Sequence, residues 1–266
     1  MAEREIWSVD KIRGLFDLTG KVAIVTGGSG AFGHDAAKAM AAFGASVVVT
    51  SRRAENVESA AADIAEATGA RVLPVSCDAV DPESVEAMVQ KTVDEFGKVD
   101  ILVTAAGQAN RFAAEEFPLD EWQKVMDSLV KGTYVVCQAV GKRMIAQGGG
   151  KIITVGSVRG ELGHPGGYSA YGTAKGAVHL LTKQLAAEWA KYHINVNSIA
   201  PCIFWTPLTQ QVLDDPELYK IFMQRIPWGR AADPQDFMGA TVYLASAASD
   251  FVTGDILMVD GGSTAA

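Results

Sequence analysis

The stretch that most restricts how this chain can fold runs from Val22 to Gly33. An unbroken apolar run, Val22-Ala23-Ile24-Val25, leads into Thr26-Gly27-Gly28-Ser29-Gly30-Ala31-Phe32-Gly33, and the alanine-rich residues Asp35–Phe43 follow at once. Apolar residues without polar alternation suit a strand covered on both faces, and a glycine-rich turn before alanines suits an immediate helix. Gly28, Gly30 and Gly33 fit the spacing Gly-x-Gly-x-x-Gly in that strand-to-helix setting. Glycines there let the backbone approach a pyrophosphate, to which the helix N-terminus offers N–H groups and a partial positive charge. Such a unit opens a parallel sheet, so the rest of the chain should continue the alternation.

It does. Apolar or β-branched runs recur at Ser46–Thr50, Arg71–Ser76, Ile101–Ala105, Lys151–Val155, Ile194–Ile199 and Ile256–Val259. Between them lie helical segments at Ala54–Ala67, Pro82–Phe96, Asp120–Ala146 and Ser169–Lys191. The pattern predicts an α/β fold of Rossmann type, a doubly wound parallel sheet of about seven strands with helices on both faces. No internal repeat and no Pro/Gly/Ser linker divides it, so residues 20–266 read as one nucleotide-binding catalytic domain behind an extension at 1–19. Residues 202–232 break the rhythm, with Pro207, Pro216 and Pro227 among aromatics, and read as a lid over a substrate site.

Composition narrows the function classes. The formal charge of −8 argues against a nucleic-acid surface, which needs a basic stripe. Cys77, Cys137 and Cys202 are odd in number and far apart, which suits reduced thiols in a cytoplasmic setting. The opening MAEREIWSVDKIRGLFDLTG has no apolar core of a secretory signal, and no run reaches the roughly 18 apolar residues of a membrane span. The expected protein is soluble and cytoplasmic, binding a small-molecule substrate, with neither membrane nor nucleic acid as a partner.

Catalytic chemistry is suggested by Tyr171-Gly172-Thr173-Ala174-Lys175 together with Ser157. On a helix Tyr171 and Lys175 share a face, which puts an ammonium beside a phenol and favours phenolate. A hydroxyl such as that of Ser157 can orient a carbonyl against it. By itself the pair is weak, since chance supplies roughly 0.3 Tyr-x-x-x-Lys matches in a chain of this composition. At the end of the second predicted strand stands Ser51-Arg52-Arg53, where a carboxylate would select a ribose 2′-hydroxyl and an arginine accepts a 2′-phosphate. NADP(H) is therefore preferred over NAD(H), the alternative being that these arginines only cap a solvated turn.

Taken in order, these elements resemble the short-chain dehydrogenase/reductase family from about Lys21 to Gly262: the glycine loop, Asp78, Ala106-Gly107, Ser157, Tyr171 with Lys175, Pro201 with Thr206, and Val259-Asp260-Gly261-Gly262. The resemblance implies that Tyr171 is the general acid/base, that Lys175 lowers its pKa and holds the nicotinamide ribose, and that Ser157 fixes the substrate oxygen. It implies a cofactor held by Gly27, Ser29, Gly30, Ala31, Phe32 and Gly33, by Ser51, Arg52 and Arg53, by Asp78 and Ala79 at adenine, and by Ala105, Ala106 and Gly107. Pro201, Cys202, Phe204 and Thr206 would grip the carboxamide. It also implies a homotetramer or homodimer built on the helices at Ser169–Lys191 and Pro234–Ala245.

Several positions depart from the family pattern. Ala31 stands for its second loop glycine, Thr104-Ala105-Ala106-Gly107 for Asn-Asn-Ala-Gly, and Cys202 for a glycine. Leu129 stands where relatives carry an asparagine that kinks the helix so that a backbone carbonyl can hold a water serving the lysine. Either the backbone keeps that kink without it, through Ser128, or the proton leaves by another route.

His34, His179 and His193 read as surface or packing residues, and no histidine has metal-ligand spacing, so no metal is expected. His164 lies with Arg159 and Glu161 in the loop between Ser157 and Tyr171, with Gln108, Asn110 and Arg111 as neighbours. These groups, with Tyr168 and Trp205 as walls, suit a polyhydroxylated or carboxylated substrate, and the sequence is similar to polyol and keto-sugar-acid dehydrogenases of the gluconate 5-dehydrogenase type. The expected activity is that of an alcohol dehydrogenase or carbonyl reductase. The alternatives are a nucleotide-bound sensor or partner-binding module without redox turnover, and an epimerase or lyase that recycles its cofactor.

Overall fold

The computed structural model describes residues 7–206 and 209–266, without the side chains at 211 and 212. Residues 1–6 of the expected extension and Pro207 of the expected lid lie outside the described residues. Seven parallel strands form one sheet: β1 (Val22–Thr26), β2 (Ser46–Ser51), β3 (Val72–Ser76), β4 (Ile101–Thr104), β5 (Gly150–Val155), β6 (Ile194–Pro201) and β7 (Ile256–Val259), in the order β3-β2-β1-β4-β5-β6-β7. The order reverses between β1 and β4, where Thr26 pairs with Thr104. That switch opens a crevice at the carboxyl ends of the strands, the place where such sheets take ligands.

Successive strand residues point to opposite faces, and both faces are buried. Ala23, Val25, Val47, Val49 and Val103 enter one core, covered by α2 (Ala31–Ala42), α3 (Ala54–Thr68) and α10 (Pro234–Ala245). Ile24, Val48 and Leu102 enter the other, covered by α4 (Pro82–Phe96), α6 (Gly132–Gln147) and α7 (Ser169–Trp189). This explains why the strands read as continuous apolar runs. The extension contributes a short helix, α1 (Val9–Gly14), and Leu18, which is fully buried in the first core with its N–H on the Phe43 carbonyl at 2.9 Å.

The helix expected over Asp120–Ala146 is broken. α5 (Leu119–Met126) passes through one π turn at Asp127–Lys131 before α6 begins. Two hydroxyls accompany the bulge: Ser128 Oγ accepts from the Gln108 N–H at 2.9 Å, and Thr133 Oγ1 donates to the Leu129 carbonyl at 2.7 Å. The kink therefore exists without an asparagine. Leu129 itself packs in a cluster with Val125, Ala170 and Ala174, against Tyr171. Its seat requires Gly107, because a Cβ there would lie 2.2 Å from Leu129 Cδ2.

In the segment 202–232 the described residues include two further helices, α8 (Gln210–Leu213) and α9 (Pro216–Met223). Its ends are tied together: Phe204 bridges Ala232, with the Trp205 N–H on the Ala232 carbonyl at 2.8 Å and the Ala232 N–H on the Ile203 carbonyl at 3.0 Å.

Candidate active site

At the crevice, a cavity of about 410 Å³ is lined by Gly27, Ser29, Gly30, Ser51, Arg52, Asp78, Ala79, Ala105, Ala106 and Gly107. Gly27 has φ +69°, and a Cβ on it would lie 2.7 Å from the Ala105 carbonyl and the Ala106 nitrogen, so only glycine closes the turn this tightly. A Cβ on Gly33 would fall 2.3 Å from the Gly27 carbonyl oxygen, so this glycine lets α2 sit directly on the loop. Gly30 precedes α2 as its cap and has no side chain to offer, which leaves the first-turn N–H groups to an anion. The residues therefore fit a dinucleotide: a glycine cradle, an uncapped helix N-terminus, and Arg52 with Asp78 farther along the same wall.

The two arginines diverge. Arg52 lines the cavity, whereas Arg53 Nε and Nη2 donate to the side-chain oxygen of Asn56 at 3.2 and 3.1 Å once that amide is turned to present it. Phe32 points away into an aromatic cluster, 5.1 Å from the Phe204 ring centroid and 4.9 Å from that of Phe237. Ala31 and Gly33 lie in the first turn of α2, behind the cavity wall. Gln108, expected at the substrate, lines this cavity beside Ser128.

Ser157, Tyr171 and Lys175 come together at the carboxyl end of β5. Ser157 stands two residues beyond the strand, where its hydroxyl caps the short 3-10 turn Val158–Gly160 by accepting the Arg159 N–H at 3.1 Å. Tyr171 and Lys175 lie one turn apart on α7, with Lys175 Nζ 5.7 Å from the phenol ring centroid. Lys175 is buried and donates to the Val155 carbonyl at 2.6 Å, and burial pushes its pKa from 10.5 to about 8. Burial also holds the Tyr171 phenol above its ordinary value; hydrogen bonding from Ser157 and the charges of Arg159 and Arg111 oppose that rise. The lowering expected from Lys175 is not among the main influences on the phenol, and the ammonium is directed at the Val155 carbonyl instead.

Beside this corner stands a polar wall. The His164 ring lies 4.9 Å from that of Tyr168 and stacks on Phe222 at 6.2 Å, and Tyr168 lies 5.9 Å from Tyr171. The Arg111 guanidinium covers the Tyr168 ring at 4.6 Å. Burial, then the charges of Arg159, Arg225 and Arg111, hold the His164 pKa below its ordinary value. Its Nδ1 accepts the Gly166 N–H at 3.0 Å, which leaves Nε2–H as a donor. Arg225 was missed because the segment carrying it has no periodicity.

Other residues turn elsewhere. Glu161 bonds His179 Nδ1 at 3.0 Å, and Asn110 donates to Glu121. Trp205 stacks on Tyr219 at 6.3 Å, and Thr206 Oγ1 lies 2.9 Å from Thr209 Oγ1. Pro201 ends β6, and Cys202 faces a second cavity with Ile226 and Trp228, its thiol pushed up by burial and so kept protonated. Among the described residues no group of three or more His, Cys, Asp or Glu side chains could hold a metal, and no helix is long and apolar enough to cross a membrane.

A seven-stranded, doubly wound sheet with a glycine cradle at its switch point and a Ser-Tyr-Lys corner beyond β5 defines a class, and the chain belongs to it: the short-chain dehydrogenase/reductase family of oxidoreductases acting on alcohol groups. The family model that matches residues 28–264 is described as enoyl-(acyl carrier protein) reductase. Gluconate 5-dehydrogenase of Gluconobacter oxydans (strain 621H) is 39% identical over 250 residues, 94% of this chain and 97% of that protein. 2-Dehydro-3-deoxy-D-gluconate 5-dehydrogenase of Dickeya dadantii (strain 3937) is 41% identical over 252 residues, 93% of this chain and 96% of that protein. A crystal structure of a gluconate 5-dehydrogenase from Burkholderia cenocepacia J2315 in complex with NADP and tartrate superposes with TM-score 0.90 at 37% identity, covering 95% of this chain and 98% of that one.

Proposed function

We propose that this protein is an NADP(H)-dependent dehydrogenase, a carbonyl reductase in the reverse direction, acting on a keto-sugar acid or polyol, with NAD(H) as the weaker cofactor. The observation that carries the reading is the Ser157–Tyr171–Lys175 corner, with Ser157 and Lys175 buried and Tyr171 half-buried, beside three guanidiniums, Arg111, Arg159 and Arg225, whose charges reach His164. The whole chain has a charge of −8, so cations gathered at one corner favour an anionic substrate locally. The His164 Nε2–H and the rings of Tyr168 and Phe222 suit hydroxyls and a sugar face. The relatives named above act on sugar acids by their names, and the Burkholderia structure holds tartrate.

A bound nicotinamide supplies the hydride. In reduction, Tyr171 gives its proton to the carbonyl oxygen while Ser157 donates a hydrogen bond to that oxygen. Lys175, with a pKa of about 8, is mostly protonated near neutral pH and keeps a positive charge one turn behind the phenolate that forms. Arg52 on the cavity wall, with Ser51 where a carboxylate would repel phosphate, favours the 2′-phosphate. The free thiols Cys77, Cys137 and Cys202 suit a reducing cytoplasm. Leu180, two-thirds exposed on α7, suits a homotetramer or homodimer using that helix.

Absorbance of reduced cofactor, followed with NADPH or NADH across sugar acids, polyols and their ketones, tests the reading. Carboxylated or polyhydroxylated ketones should consume NADPH stoichiometrically, and Tyr171→Phe should remove nearly all turnover while binding cofactor normally. An unimpaired Tyr171→Phe enzyme, or product formed without net cofactor consumption, would overturn it.

A further inference from the structure

Tyr171, Lys175 and His179 follow one another at four-residue spacing on one face of α7, and the third is as buried as the second. His179 Nε2 accepts the backbone N–H of Ser157 at 3.4 Å, and Nδ1 lies 3.0 Å from Glu161 Oε1. An amide can only donate, so Nε2 presents its lone pair and Nδ1 carries the proton given to Glu161. The ring is clasped by the chain that carries Ser157: a Cβ on Gly156 would fall 2.4 Å from Nε2, and one on Gly160 2.5 Å from Cε1. Both positions must be glycine for the imidazole to enter. Glu161 is nearly half exposed, so its carboxylate links a buried ring to solvent.

We infer that Glu161 and His179 are a positioning dyad that sets the backbone amide of Ser157, and with it the Ser157 hydroxyl facing Tyr171, and that protonation of His179 undoes this setting. The inference rests on the assignment of Ser157 as the residue that orients the substrate oxygen. On protonation Nε2 becomes an N–H and meets the Ser157 N–H donor to donor, so the contact turns from attraction to repulsion. The charged groups acting on the ring are Glu161 from the loop and Lys175 and Lys183 from its own helix. Burial leads in holding its pKa below the ordinary histidine value, the two lysines add to this, and Glu161 opposes it. The ring is therefore neutral near pH 7, and the dyad fails only in acid.

The first arm of the test needs no substrate. The amide resonance of Ser157 in isotope-labelled protein should move through one protonation step on the acid side of the usual histidine value. Glu161→Gln keeps an acceptor for Nδ1–H but removes the charge, so that step should shift to lower pH. His179→Gln places a side-chain oxygen where Nε2 stood but cannot titrate, so the step should vanish. In the reaction found with the ketone panel, kcat should share that acid limb, lose it in His179→Gln, and fall about 100-fold in His179→Leu at unchanged cofactor affinity, as expected for a displaced catalytic hydroxyl. A Ser157 amide that does not titrate, or titrates alike in His179→Gln and Glu161→Gln, would overturn the dyad. Tyr171→Phe separates the two readings: full turnover in that variant removes the proposed catalytic role of the corner, whereas a dead Tyr171→Phe enzyme with the acid limb intact in His179→Gln removes the dyad alone.

Discussion

Lys175 lies buried with its ammonium on the Val155 carbonyl and a pKa of about 8 in place of 10.5. Between those two values the unfolded chain holds a proton that the folded chain has released, so stability rises with pH across that window. Below about pH 8 the full penalty is present, and a shift of this size corresponds to about 3 kcal/mol. Replacing Lys175 with methionine removes the titration. It also leaves the Val155 carbonyl unpaired, a pH-independent cost of about 1–3 kcal/mol. The decisive quantity is therefore a double difference. Guanidinium unfolding of wild type and Lys175→Met, both without cofactor, at about pH 7 and about pH 9.5 should show the wild type gaining about 2 kcal/mol relative to the variant on going to the higher pH. Other lysines, tyrosines and thiols titrating in that range cancel in the comparison. A gap between the two proteins that stays constant, or that moves the other way, would refute a buried lysine charged at a cost.

Two further outcomes are expected. Arg52→Ala should weaken NADPH binding by about tenfold or more while leaving NADH binding nearly unchanged, as measured by calorimetry; equal losses would remove the 2′-phosphate contact. Gly107→Ala should destabilise the protein by about 1–3 kcal/mol because the new methyl meets Leu129. Adding Leu129→Ala should then cost less than the two single changes summed, and strict additivity in thermal melts would show that the two residues do not collide.

Much of the architecture was legible because it is local. The β1 and β7 bounds follow from apolar runs closed by glycine, and the first βα turn from three glycines at fixed spacing. Tyr171 and Lys175 were legible through helical spacing taken together with the elements that accompany them in order, because the pair by itself arises too readily by chance. The role of His179 was not, since the reading of it as a packing residue missed that its partners stand 18 and 22 residues upstream on a chain that two glycines fold around the ring. Glu161 reads from sequence as a substrate contact, and the fold adds a bond to His179 while leaving it in the wall of a cavity with Arg159, His164 and Tyr168. The π turn was only half legible: the family resemblance raised a kink at Leu129 kept through Ser128 as one of two outcomes, but nothing in the residues chose that over its loss, and the Thr133 bond that accompanies it involves a group with many ordinary uses. Arg225 joins Arg111 and Arg159 only through tertiary structure.

The bridge between Phe204 and Ala232 has a consequence for how the segment it closes can be exchanged. The chain leaves the core and returns to it at neighbouring points joined by backbone hydrogen bonds, and the span between is held further by the buried Leu213 and Ile226 and by the Trp228 N–H on the Gly261 carbonyl at 3.0 Å. Loop closure is already supplied at the base, so substituting a segment of different length there adds little entropic cost. The strands, the glycine cradle and the Ser157–Tyr171–Lys175 corner lie on the other side of that join. A graft between these two points therefore has to keep the residues that fasten the span, Leu213 and Ile226 in the core and Phe222 on His164, while the length between them is free to vary.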